Sequence, residues 1–370
     1  MLRRAASLYG FWNIIAQRPH HLAGVLLRAG WQVDVFSQRG MRDTPPVLND
    51  RPRVHYRTKL PGRLHKWPLT AGIARWHKRR VEHGVFSDFV SSRASLFVYY
   101  HRPHEQSTRI GALPGPLVYD CVDDWEAFGY VSAGPVRDYE RRLCDRADRI
   151  WVVSRHLQEK LAPWRDKVRY VPNGADYPHF ARARALRETI TAERKTSVGP
   201  RRLIYVGALA HWFDARLVGE VAERLPGWQV LLVGPCLLDE QKMRQLDRDN
   251  IRFLGRRDYQ ELPGLLAEAD VAMIPFVLSD LIRGTSPIKL YEYLAAGLPV
   301  VASPMPEVLP YSESGVVGCA DDPVQFARLV EEYAAAARPD RCQEIARACS
   351  WDARFLPAID EVSAMARTGR

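Results

Sequence analysis

DLIRGTSPIKLYEYLAAGLPVVAS, residues 280–303, encodes a helix with both ends marked and a strand directly after it. Pro287 suits the first helical position and Ser286 the N-cap before it. Gly297 and Pro299 then stop the helix and release the apolar strand 300–302. A helix N-terminus presents free backbone N–H groups and a partial positive charge, which suits phosphate. Lys289 lies in the first turn and Arg283 in the loop just before it, so two cations converge on that end. Glu292, three residues after Lys289, places a carboxylate one turn deeper, where it can accept hydrogen bonds from the vicinal hydroxyls of a ribose. In isolation Lys289 and Glu292 read as a surface salt bridge. Their position after the apolar strand 271–274 favours a diphosphate-and-ribose site instead.

Outward from this segment the same pattern repeats along the chain. Short apolar runs at 33–36, 96–100, 117–120, 150–153 and 168–171 read as strands, as do 203–206, 230–233, 251–254, 271–274 and 300–302. Most are continuous rather than alternating, as expected of strands buried on both faces of a parallel sheet. Helix-length stretches intervene at 20–29, 136–147, 215–224, 259–269 and 288–296. The fold class is therefore α/β, with two Rossmann-like doubly wound domains facing a cleft. Pro172 and the Asn173-Gly174 turn mark the boundary, giving domains at 1–175 and 176–349 and a terminal helix at 350–370 that packs back on the first. The stretch 181–200 is polar and helix-prone, and the first strand before Gly10 looks clipped. In such sheets ligands sit at the carboxyl ends of the strands.

Of 370 residues 46% are hydrophobic, which excludes disorder and a small disulfide scaffold. The formal charge is +10, and it is not spread evenly. Residues 51–80, RPRVHYRTKLPGRLHKWPLTAGIARWHKRR, hold ten Lys and Arg and no acid, which equals the whole excess. There Trp67, Ile73, Trp76, Val81 and Val85 interleave with Arg63, Lys66, Arg75, Lys78, Arg79 and Arg80. That mixture suits an anionic membrane surface; the plainer alternative is a solvated basic helix whose Trp residues face the core. Six scattered cysteines without a CxxC pair read as reduced thiols. No segment reaches the ~20 apolar residues of a membrane span. The location expected is cytoplasmic, peripheral on the inner face of the cytoplasmic membrane.

The run SPIKLYEYLAAGLPVVAS, preceded by NIRFLGRRDYQELPGLLAEADVAMIPF, resembles the nucleotide-sugar domain of GT-B glycosyltransferases, in particular the bacterial family 4-type enzymes of cell-surface polysaccharide assembly. FWNIIAQRPHHLAGVLLRAGWQVDVFS, LVYDCVDDWEAF, RIWVVSRHLQEKL, VRYVPNGADYPHF, YVGALAHWFD and SWDARF extend the resemblance over nearly the whole chain. The resemblance implies a GT-B fold and transfer of a sugar from a nucleotide diphosphate donor to a carbohydrate acceptor, such as a polyprenyl-linked oligosaccharide. It places Glu292 on the ribose, and Lys289 and Arg283 near the diphosphate with the Thr285 and Ser286 amides beside them. The loop bearing Arg256 and Tyr259 then holds the base, and Gly207 and Leu209 pass close to the phosphates. No cofactor and no metal are expected, the nucleotide sugar being a substrate. Two departures stand out. Position 284 is Gly where many relatives carry a glutamate on the donor sugar, and His211, Trp212, Phe213 and Asp214 replace a commonly found Lys.

Transfer needs a base for the acceptor hydroxyl. The strand 117–120 ends in Cys121-Val122-Asp123-Asp124, where the resemblance favours Asp123 as base, with Asp124 and Asp120 as alternatives. The same acids read as a DxD metal site in a different transferase fold, which the two-domain pattern fits poorly. On the acceptor side stand Arg18, at the start of the first helix, and His101, with Asp124 beside them; His20, His21 and His104 are further histidines there. A nucleotide-sugar 2-epimerase on the same fold, or a non-enzymatic basic protein binding nucleic acid, are the competing readings. No nucleic-acid motif supports the latter.

Overall fold

The computed structural model describes residues 4–10, 17–40, 52–59, 68–100, 102–127, 133–193 and 199–368. The chain divides into two compact units, Met1–Pro172 with Arg354–Arg370, and Asn173–Ala353.

The first unit holds strands β1 (Ala5–Tyr9), β2 (Gln32–Gly40), β3 (Arg53–Lys59), β4 (Leu96–Tyr99), β5 (Leu117–Cys121), β6 (Arg149–Val152) and β7 (Val168–Tyr170). They form one parallel sheet in the order β3-β2-β1-β4-β5-β6-β7. Helices α1 (Arg18–Arg28), α2 (Pro68–Val90), α3 (Ala133–Arg146) and α4 (Arg155–Lys160) make the crossovers. β4 and β5 are buried along their whole length, as their unbroken apolar runs demand. β1 is a central strand paired on both sides. Its one polar interior residue, Ser7, is satisfied by Ser92 Oγ at 2.8 Å, and the Tyr9 ring stacks on Tyr99 at 5.1 Å. β3 escapes an apolar-run search because RVHYRTK is mostly polar, a composition that suits an edge strand.

The second unit begins with α5 (Tyr177–Glu193), then β8 (Arg201–Val206), α6 (Ala215–Arg224), β9 (Trp228–Val233), α7 (Glu240–Gln245), β10 (Ile251–Gly255), α8 (Leu262–Ala267) and β11 (Val271–Ile274). It continues with α9 (Asp280–Arg283), α10 (Ile288–Ala295), β12 (Val300–Ala302), β13 (Val317–Cys319), α11 (Pro323–Ala335) and α12 (Pro339–Ala348). Its parallel sheet runs β10-β9-β8-β11-β12-β13. The polar, helix-prone stretch after residue 180 forms most of α5, which buries Phe180 and Ala183 in this unit's core. Arg187 on α5 donates to the carbonyls of Leu266 and Ala267, closing the end of α8. The helix expected at 259–269 is a 3-10 turn at Tyr259–Glu261 followed by α8, with Pro263 in its first turn.

Helix α13 (Trp351–Thr368) returns the chain to the first unit. There Phe355 packs on Trp151, and Glu361 accepts from Arg149 at 2.6 Å and from Arg169 at 3.1 Å.

Candidate functional site

In the second unit, α10 is held at two points. Asn173 donates its side-chain amide to the Ser286 carbonyl at 2.7 Å and its backbone N–H to Ser286 Oγ at 3.3 Å. One turn into the helix, the Val206 N–H at the end of β8 donates to Tyr293 Oη at 2.7 Å. Ser286 therefore ties down the preceding loop and is not the N-cap. Pro287 occupies the cap position, with no side-chain hydrogen bond. The stop is as expected: Gly297 has φ +75°, and its amide donates to Leu294 O at 3.0 Å.

Lys289 and Glu292, thus oriented, are partly buried side chains of α10. Among the described residues neither makes an ion pair or side-chain hydrogen bond, so the surface salt bridge is not formed. Burial lowers the Lys289 ammonium to about 8, partly offset by Glu292. Burial raises the Glu292 carboxyl to about 7, with Lys289 opposing and Asp176 adding to the rise. The ammonium lies 4.9 Å from the ring centre of Phe276 and 5.6 Å from that of Tyr205. Gly207, just past β8, has φ +153°, and a Cβ there would fall 3.1 Å from Lys289 Cε. A side chain at 207 would fill the space the ammonium now borders.

The remaining donor-side residues divide. Arg283 ends α9 and is exposed, and Arg256 is exposed on the loop after β10. Thr285 is engaged locally: its N–H donates to Ile282 O and its hydroxyl to Leu281 O. Its amide is therefore not the phosphate ligand the resemblance implies. Leu209 is fully buried, its amide donating to Pro235 O and its carbonyl accepting from Leu237 N, which leaves it no ligand-facing group. Tyr259 is pinned rather than projecting, its ring stacked on His179 at 4.3 Å and its hydroxyl 3.4 Å from Asp176. His179 is held neutral mainly by burial, and its Nε2 lies 3.0 Å from the Tyr259 carbonyl. Asp176, His179, Asn173 and Tyr293 thus support the site, though no spacing rule marks them. Only the place of Asn173, Asp176 and His179 in the VPNGADYPHF run, and of Tyr293 in the SPIKLYEYLAAGLPVVAS run, pointed at this region.

In the first unit, the three aspartates at the end of β5 and in the loop after it are sorted by partner. Asp120, fully buried, receives the Arg18 guanidinium at 2.8–3.0 Å. Arg18 also donates to Pro172 O and lies 4.7 Å from the Phe355 ring centre. It is a buried structural cation with 2% exposure, so its expected acceptor role is lost. Asp124 holds Lys160 at 2.7 Å, His156 at 3.3 Å and the Glu126 N–H at 3.2 Å. Burial raises its carboxyl, but these partners win and hold it below the ordinary range. Asp124 clamps the loop and does not face an acceptor. Asp123 is different: no side-chain hydrogen bond engages its carboxyl among the described residues. Burial, reinforced by the neighbouring Asp124 charge, raises it to about 7. His101 lies outside the described residues. His104 is taken up by Tyr9 Oη at 3.0 Å and the Gln106 N–H, and burial lowers it to about 4.

Comparison with known proteins matches both units. The profile described as "Glycosyl transferases group 1" matches residues 200–335, and "Glycosyl transferase 4-like domain" matches residues 15–174. The chain is 29% identical over 262 residues to TuaH of Bacillus subtilis (strain 168), assigned by name to teichuronic acid biosynthesis as a glycosyltransferase. That match covers 65% of this chain and 64% of TuaH. Among solved structures, sucrose-phosphate synthase of Thermosynechococcus elongatus superposes with TM-score 0.71 at 17% identity, covering 100% of both chains. HepE of Anabaena in complex with UDP-glucose gives 0.68 at 15%, covering 97% of this chain and 99% of HepE. WaaG, a glycosyltransferase involved in lipopolysaccharide biosynthesis, gives 0.63 at 13%, with 96% and 99% covered. The two units thus carry, in order, a glycosyl transferase 4-like domain at 15–174 and a group 1 glycosyl transferase domain at 200–335, on the two-sheet fold shared with the GT-B structures.

Proposed function

We propose that the protein transfers a sugar from a nucleotide diphosphate donor to a carbohydrate acceptor, a lipid-linked oligosaccharide of cell-surface polysaccharide assembly. The observation that carries this reading is the Lys289–Glu292 pair: a cation and a carboxylate on the first turns of one helix beside Gly207, neither in an ion pair or side-chain hydrogen bond among the described residues. The ammonium of Lys289, with Arg283, suits the donor diphosphate, and the Glu292 carboxylate suits the ribose hydroxyls. Asp123 takes the proton of the acceptor hydroxyl as its oxygen bonds to the sugar anomeric carbon. The bond from that carbon to the diphosphate breaks, and the nucleoside diphosphate leaves with the electron pair, its charge met by Lys289 and Arg283. Gly207 leaves room for the phosphates, and Arg256 borders the base. HepE, solved with UDP-glucose, and TuaH, named for a surface polymer, support the donor class and the pathway class.

The acceptor reading includes a membrane face. Among the described residues no helix is long and apolar enough to cross a membrane. Just past the 51–80 stretch, Val81 and Val85 join the core, whereas within it Ile73 and Trp76 are 64% and 59% exposed beside Lys78, Arg79 and Arg80. Residues 60–67, Trp67 included, lie outside the described set. An exposed aromatic among cations suits an anionic bilayer at the inner face of the cytoplasmic membrane.

The test is a panel of UDP-, GDP-, ADP- and dTDP-sugars in thermal shift, followed by incubation with lipid-linked acceptors. One donor is expected to raise the melting temperature and to yield nucleoside diphosphate only when acceptor is present. No stabilisation by any sugar nucleotide, with no diphosphate released, would overturn the reading; epimerised sugar released without acceptor would replace it with epimerisation.

A further inference from the structure

We infer that the slot between β3 and α2 is a recognition site for the phosphate of a phosphomonoester lipid headgroup, an inference that rests on the membrane reading above. Ile73, Trp76, His77 and Arg80 recur at the three-and-four spacing of one helix face. Ala74, Val81 and Val85 take the buried face, so the first stripe has no core to fill. It runs beside the edge strand, where Arg57, Thr58, Trp76, His77, Arg80 and Val81 line a cavity of about 480 Å³. That is the size of a small-ligand pocket, roughly 300–1,000 Å³.

The donors around the slot are set in place. Asp88 grips Arg57 through Nε and Nη2, both at 2.9 Å, which fixes the guanidinium and leaves Nη1 for another acceptor. Gly84 makes the room: a Cβ there would fall 2.7 Å from Arg57 Cζ and Nη1. The Arg80 guanidinium lies 5.4 Å from the Trp76 ring centre. His77 Nδ1 is buried with no hydrogen-bond partner among the described residues. Arg57 Nη1, Arg80, His77 and the Thr58 hydroxyl suit the three terminal oxygens of a phosphomonoester better than the two free oxygens of a diester. A soluble phosphate has no use for the slot's rim. Ile73 and Trp76 there, flanked by Lys78 and Arg79, suit a phosphate presented at a bilayer surface.

The experiment measures partition of the full chain onto phosphatidylcholine vesicles doped with phosphatidic acid or phosphatidylglycerol, adjusted to equal zeta potential. Phosphatidic acid is expected to bind about tenfold more tightly, the worth of one or two charge-assisted hydrogen bonds. Thr58→Val and His77→Phe, which leave the cations in place, are expected to erase that preference while keeping binding to phosphatidylglycerol. Trp76→Ser is expected to weaken both. Equal partition of the unmodified chain onto the two vesicle types overturns the slot and leaves surface docking standing. No partition onto either overturns the membrane reading itself.

Discussion

At the proposed donor site, burial brings Lys289 and Glu292 to change charge near neutrality, so donor binding is expected to depend on pH. Glu292, raised to about 7, accepts hydroxyls best as a carboxylate, so affinity is lost as pH falls through that value. Lys289, lowered to about 8, pairs with phosphate only while protonated, so affinity is lost as pH rises past it. Donor affinity measured by calorimetry is expected to peak between the two limbs. Lys289→Ala and Glu292→Ala are each expected to weaken donor binding by about 1.5–3 kcal/mol, ten- to a hundredfold, while unchanged affinity would remove the pair from the site. Asp123 belongs to a separate step. Asp123→Asn is expected to spare donor affinity and abolish transfer. In the parent, the acid limb of the transfer rate should fall near pH 7, where Asp123 ionises. The Arg18–Asp120 pair acts on stability instead. Arg18→Ala strands a buried carboxylate and is expected to cost about 3–5 kcal/mol in chemical denaturation.

At the scale of elements, helices are aimed by contacts that no periodicity discloses. Helix α10 is oriented by Asn173 at its entry and by Tyr293 against the end of β8, and it stops at Gly297, where φ is +75°. Gly297→Ala forces a side chain into that left-handed conformation and is expected to cost about 1–2 kcal/mol, read as a lower unfolding midpoint. Helix α13 is tied to the first unit by Glu361. Partial burial raises that carboxyl, but the hydrogen bonds and charges of Arg149 and Arg169 more than offset it and hold it low. A carboxyl with a depressed folded value stabilises above its unfolded value and loses that contribution as pH falls through the folded one. Glu361→Gln is therefore expected to lower the melting temperature at pH 7 and to change it little in acid below both values. An equal drop at both pH values would assign Glu361 a packing role only.

At the scale of the whole molecule, donor binding and stability are linked. A ligand at 100 times its dissociation constant adds ~2.7 kcal/mol to the fold it binds, so the matched sugar nucleotide should protect the second unit from proteolysis. The strongly basic stretch lies at residues 51–80 of the first unit, while the anionic donor proposed for the second unit would be met there by a few placed cations.

The strands buried on both faces, the helix stopped at Gly297 with the strand after it, and the basic stretch were legible because periodicity, helix-stop residues and charge are local properties. From them follow the α/β class, the two units and the Lys289–Glu292 pair. The sequence also singled out Asp123, Asp124 and Asp120, with Asp123 favoured by resemblance rather than by pattern, since adjacent carboxylates look alike in one dimension. Tertiary structure gave them physically distinct places, because a carboxylate's role is set by what approaches it from distant elements: Arg18 from α1 reaches Asp120, Lys160 from α4 reaches Asp124, and among the described residues no side-chain hydrogen bond reaches the Asp123 carboxyl. The same reason moved Leu209 into the core and Arg18 into an ion pair, and exposed Ile73 and Trp76 while burying Val81. Short-range pattern determined which elements form; packing across sequence separations of about a hundred residues decided which side chains remain free to do chemistry.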